Sequence, residues 1–99
     1  MKSVPIQLPS TGQTASESLT LSARRIKLHL AHNVARARHR AGWTQLQLAD
    51  AAELSRATVH LIEAGLCDAR LSTVARLAEA LQTDALDLLT GESRVEAVA

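Results

Sequence analysis

Between Thr44 and Gly65 the chain carries two short helical patterns separated by a break that leaves room only for a sharp corner. Thr44 is placed to cap the first helix, and Leu48, Ala49 and Ala52 fall on one face of it. Ser55 is placed to cap the second, with Val59 and Ile62 inward at i, i+3 spacing, and Gly65 is a natural C-terminal stop. Two helices packed across so tight a turn leave the first turn of the second helix pointing away from the core. Side chains presented that way can enter a DNA major groove.

The remaining pattern supplies helices to hold that corner. The chain has 99 residues, enough for one domain, and is 46% hydrophobic but only 1% aromatic, so its core must be aliphatic. β-branched and aromatic residues are too sparse for a sheet protein. A helix is expected to start near Thr20 or Ser22 and to run to Ala41, with Ile26, Leu30, Val34, Ala37 and Ala41 on its inner face and Gly42 ending it. Residues 66–70 read as a loop. Ser72 or Thr73 is expected to open a fourth helix carrying Val74, Leu77, Ala78 and Leu81. Thr83 is expected to cap a short fifth one with Leu86 and Leu89 inward, closed by Gly91. The expected organisation is a flexible tail at 1–17, a helical extension at 18–29, a helix-turn-helix domain at 30–91 and a second tail at 92–99.

Charge is distributed unevenly. Arg24, Arg25, Lys27, Arg36, Arg38 and Arg40 fall in a stretch with no acid, whereas from Glu79 onward Glu79, Asp84, Asp87, Glu92 and Glu96 face a single Arg94. One end at an anionic surface would account for this; so would a solvated helix face with acids scattered elsewhere. The single cysteine, Cys67, excludes an internal disulfide and fits a reducing cytoplasm. No apolar run is long enough to span a membrane, and the N-terminus lacks the apolar stretch of a signal peptide, so a cytoplasmic protein with no membrane partner is expected.

The ordered set Gly42-Trp43-Thr44-Gln45, Leu48-Ala49, Leu54-Ser55-Arg56-Ala57-Thr58-Val59 and Ile62-Glu63-Ala64-Gly65, completed by Leu71, Val74, Leu77 and Leu81, resembles the Cro/C1-type (Xre) helix-turn-helix domain. The resemblance covers roughly residues 30–89. It implies an all-α, five-helix, lambda-repressor-like domain, here with an N-terminal extension of the first helix. Two positions depart from the family pattern: Glu53 stands at the corner where Gly is usual, and Ala69 where Pro is frequent. Glu53 must therefore accept a positive φ or remodel the turn.

The outward face of the second helix of the motif comprises Arg56, Ala57, His60, Leu61 and Ala64. The resemblance marks Arg56, Ala57 and Leu61 as base-facing, and His60 could meet a base or a phosphate. An arginine fork can bond guanine O6 and N7 together, whereas Ala57 and Leu61 can only touch a thymine methyl. The bland alternative for Arg56 is a solvated or phosphate-bound side chain. Gln45 is implied as a phosphate contact at a helix start, with Thr44, Thr58 and Arg70 as weaker phosphate candidates. The resemblance also pairs Arg38 with Glu63 in a largely buried ion pair between the first and third helices; otherwise Arg38 joins Arg36 and Arg40 on a free basic face.

His29, His32 and His39 share one helix, but no Cys or acid clusters with them, so no metal site and no cofactor are expected. Cys67 reads as an incidental loop cysteine and Trp43 as a core plug. No phosphate-binding Gly loop, nucleophile elbow or paired carboxylates are visible, so no enzyme is expected. The reading is a sequence-specific transcriptional regulator, a repressor, binding double-stranded DNA as a homodimer on a palindromic operator, with Leu86, Leu88 and Leu89 as dimer contacts and Leu19, Leu21 and Ile26 as a second candidate surface. The chain has no room for a separate sensor domain, so regulation by concentration alone is expected, as in small phage-type repressors or restriction-modification controllers. The alternative is an antitoxin that neutralises a toxin protein through residues 1–17 and autoregulates its operon; a helical adaptor without DNA binding is a third reading, suggested by the weakly polar α-helical face at Ala57 and Leu61.

Overall fold

A computed structural model describes residues 15–91, and these form five α-helices and no strand: α1 (Ala15–Ala41), α2 (Gln45–Ala52), α3 (Arg56–Glu63), α4 (Leu71–Leu81) and α5 (Ala85–Leu89). The core is wholly aliphatic, built from Leu30 and Val34 of α1, Leu48, Ala49 and Ala52 of α2, Val59 and Ile62 of α3, Val74, Leu77 and Ala78 of α4, and Leu88 of α5. Trp43, Leu54 and Cys67 pack against it while partly exposed. The i, i+3/i+4 spacings in the sequence thus become one buried cluster.

Four helices end in the same way. After α1, Gly42 donates to His39 O and Trp43 to Arg38 O; after α2, Glu53 donates to Asp50 O and Leu54 to Ala49 O. The pattern recurs at Gly65 and Leu66 after α3, and at Gln82 and Thr83 after α4. Each is the paired closure that places one residue in the left-handed region. Gly42 and Gly65 take φ of 76° and 75° freely, but Glu53 (φ 59°) and Gln82 (φ 57°) do so against the Cβ clash that disfavours this region. The expectation that Glu53 accepts a positive φ therefore holds.

Several expected boundaries move. α1 starts at Ala15 rather than near Thr20 or Ser22, because Thr20 is not a cap: its Oγ1 donates back to Ser16 O at 3.0 Å, as a hydroxyl inside a helix does. Residues 15–17, assigned to the tail, are thus helical, while residues 1–14 and 92–99 lie outside the described residues. The first buried residue of α1 is Leu30; Ile26, expected inward, is 51% exposed. α4 starts at Leu71, one or two residues before Ser72 or Thr73, with Arg70 at its N-cap position and no side-chain cap.

The cap of α5 is Asp84, whose Oδ1 accepts from the Leu86 N–H at 2.9 Å, and not Thr83, whose N–H donates to Ala78 O at the end of α4. The inward face changes accordingly. Leu88 is 2% exposed and in the core, and Leu86 is 65% exposed, the reverse of the expected arrangement; Leu89 packs partly buried against the core. Leu88 therefore offers no surface for a dimer contact. Asn33 of α1 fixes this short helix: its Nδ2 lies 3.2, 2.9 and 2.8 Å from the carbonyl oxygens of Asp87, Leu88 and Thr90, groups the helix end leaves open.

Candidate nucleic-acid interface

The corner between α2 and α3 is built from short-range bonds. Thr44 Oγ1 accepts from the Gln47 N–H at 3.1 Å and Gln47 Oε1 accepts from the Thr44 N–H at 2.8 Å, a reciprocal capping box. Ser55 Oγ accepts from the Thr58 N–H at 3.0 Å and opens α3. Between them, Glu53 turns the chain, and Arg76 Nη1 of α4 lies 3.3 Å from Glu53 Oε1 and 3.4 Å from its carbonyl. That ion pair is solvent-exposed, so it orients more than it stabilises.

α3 has one buried and one open side. Val59 and Ile62 are sealed in the core, while Arg56, Ala57, His60 and Leu61 are all exposed. Arg56 is the first residue of the helix and lies exposed in its first turn. Arg70 is exposed at the start of α4. Thr44 Oγ1 accepts within its cap, which leaves its hydroxyl proton to donate to a phosphate, and Thr58 Oγ1 lies 2.8 Å from Ser55 Oγ; the N–H groups of both threonines are taken up in the two caps.

The orientation of α3 is held at its far end. Arg38 Nε donates to Glu63 Oε2 at 2.7 Å and Arg38 Nη2 to Glu63 Oε1 at 3.0 Å, a bidentate pair with side chains only 11% and 8% exposed. Arg38 Nη1 donates to the Trp43 carbonyl at 2.7 Å, and Gln45 Nε2 donates to Glu63 Oε1 at 3.1 Å. The Glu63 carboxylate thus links the end of α1, the start of α2 and the end of α3, and Arg38 adds the Trp43 carbonyl of the intervening turn. Burial pushes the Glu63 carboxyl up, but the hydrogen bonds from Arg38 and Gln45, with the charges of Arg38 and His39, outweigh it and hold it below its ordinary value. The hydrogen bond with Glu63 raises Arg38 above its already high value, against burial.

Sequence reasoning paired Arg38 with Glu63 but missed the role of Gln45 in the same network. It also missed Asn33. A mid-helix Asn on a stripe shared with Ile26 and Leu30 was the available signal, since a polar side chain there needs partners. No group of His, Cys, Asp and Glu among the described residues could hold a metal ion, and no helix among them is long and apolar enough to cross a membrane.

Residues 29–90 match the model of a family described as a helix-turn-helix domain. The crystal structure of the hypothetical transcription factor NHTF from Neisseria is similar at TM-score 0.65 and 26% identity, covering 97% of this chain and 94% of that one. The restriction-modification controller protein C.AhdI from Aeromonas hydrophila is similar at TM-score 0.61 and 26% identity, over 63% of this chain and 94% of that one. None of the curated proteins compared matches the chain. These similarities agree with a domain of the Cro/C1 type.

Proposed function

This chain belongs to the helix-turn-helix domain family, and from that premise we propose that it is a sequence-specific, DNA-binding transcription regulator, acting as a repressor. The supporting observation is the two-sided α3: its inner residues are locked into the core and its outer residues, led by Arg56, are free to meet base edges. Arg56 reads a guanine through its planar fork, Ala57 and Leu61 meet thymine methyls, and His60 contacts a neighbouring base. Gln45, Thr44, Thr58 and Arg70 set register on the phosphates.

The regulator binds as a homodimer, so its operator is palindromic with half-sites about one helical turn apart. A regulator seated on an operator that overlaps a promoter excludes polymerase, and repression is the reading on that ground. The decisive experiment is selection of bound sequences from random duplex DNA at two salt concentrations. Enrichment of one two-fold symmetric motif, with affinity falling steeply in salt, is the expected result. Uniform recovery of all sequences at low salt would overturn the reading.

A further inference from the structure

We propose that the N-terminal half of α1 is a further arm of the DNA interface, with Arg24 and Lys27 holding the phosphate backbone that flanks the half-site read by α3; this rests on the DNA-binding reading above. The arm precedes the matched residues 29–90, so membership of the family does not account for it.

The outward stripe of α3 leads to this arm. Ala57, Leu61 and Ala64 follow one another at i, i+4 and i+7, so they share one face, and all three are exposed. Ala64 ends the stripe as the C-cap of α3, and Gly65 and Leu66 carry the chain on beside α1. A Cβ on Gly65 would lie 3.1 Å from Leu28 Cδ2, so this turn of α1 has a close seat at the end of α3. An open cleft results, with Ala64, Gly65 and Leu66 on one wall and Ala23, Arg24 and Lys27 on the other.

Charge selects the occupant. Arg24 and Lys27 are i, i+3 neighbours on one face, about 4.5 Å apart along the helix axis. No acid lines the cleft, and the sequence has none between Glu17 and Asp50. Among the described residues neither cation has an ion-pair partner. Two such cations at the end of the base-reading stripe suit a polyanion already seated on that stripe. The facing wall at Ala64 and Gly65 is backbone and at most a methyl group, so a phosphate strand meets no bulky side chain there. A contact of this kind adds affinity and fixes register but reads no base.

The test is Arg24→Gln/Lys27→Gln in the full chain, titrated against the selected operator and its single base-pair variants, with Arg25→Gln as control. Arg25 lies about 100° round the helix from Arg24 and does not line the cleft. Between about 50 and 200 mM salt the double variant should lose about tenfold less affinity per half-site than wild type, the share of two phosphate contacts. Its base preference and thermal unfolding should be unchanged, and Arg25→Gln should follow wild type throughout. Neutral methylphosphonates flanking the half-site should weaken wild type and leave the double variant as it was. A double variant with the wild-type salt slope, or with a changed base preference, would overturn the proposal and leave the DNA-binding reading in place. Sedimentation velocity separates the other occupant: self-association lost in the double variant would give the cleft to a second copy and overturn the proposal too. Binding of all sequences alike, with a slope that still depends on Arg24 and Lys27, would keep the contact and overturn sequence-specific regulation. No binding of any duplex at about 50 mM salt would overturn both.

Discussion

Arg38 grips both carboxylate oxygens of Glu63, at 2.7 and 3.0 Å, and so ties α1 to α3 at the edge of the face on which the two helices pack. The pair is too buried to be a surface ornament, so its removal from one side strands a charge.

Glu63→Ala should therefore destabilise the domain by roughly 3–5 kcal/mol, a large share of the stability of so small a protein. Urea unfolding measures this directly. Operator affinity should fall with it, since the angle of α3 is then left to Val59 and Ile62. Replacing both members of the pair with well-packed apolar residues should recover much of the loss of stability.

The same carboxylate gives an acid limb to stability. Its value is held lower in the folded state than in the unfolded chain, so its contribution is present above the ordinary carboxylate range and is lost as pH falls through the folded value. Wild type should lose more stability than Glu63→Gln between neutral and acid pH, as read by thermal unfolding at each pH. Parallel slopes would contradict the linkage.

At the corner, Glu53→Gly should stabilise the domain by up to about 1 kcal/mol. Relief of the left-handed strain, about 1–2 kcal/mol, outweighs the added chain entropy of Gly. The exposed bond to Arg76 is a small loss beside it. A lower melting temperature for Glu53→Gly would mean that the Arg76 contact holds the corner.

Much of this architecture is legible in the residues because periodicity is local. Val59 and Ile62, Leu48 and Ala49, and Val74 and Leu77 all face the core as their spacing requires. The misreading of α5 arises at its start, where two adjacent residues suit one cap. Thr83 and Asp84 both suit the role by residue type, and the structure gives it to Asp84, one residue after the Thr83 N–H has closed α4. In a five-residue helix that one-residue shift exchanges Leu86 for Leu88 in the core. The Gln45 bond to Glu63 joins positions 18 residues apart, and no local pattern marks it.

Arg70, exposed at the start of α4, should act on the phosphates alone. Arg70→Ala should weaken binding equally across sequences and flatten the salt dependence by about one unit of log K against log salt. A changed base preference would place Arg70 at a base edge instead.

The reading of bases by the outer face of α3 is tested most directly by titrating wild type and Arg56→Ala against the selected operator and its single base-pair variants at one salt concentration. Arg56→Ala should lose roughly 1–3 kcal/mol on the operator and lose discrimination at one base pair per half-site, leaving the other positions as they were. Unchanged affinity and unchanged preference in Arg56→Ala would contradict the account.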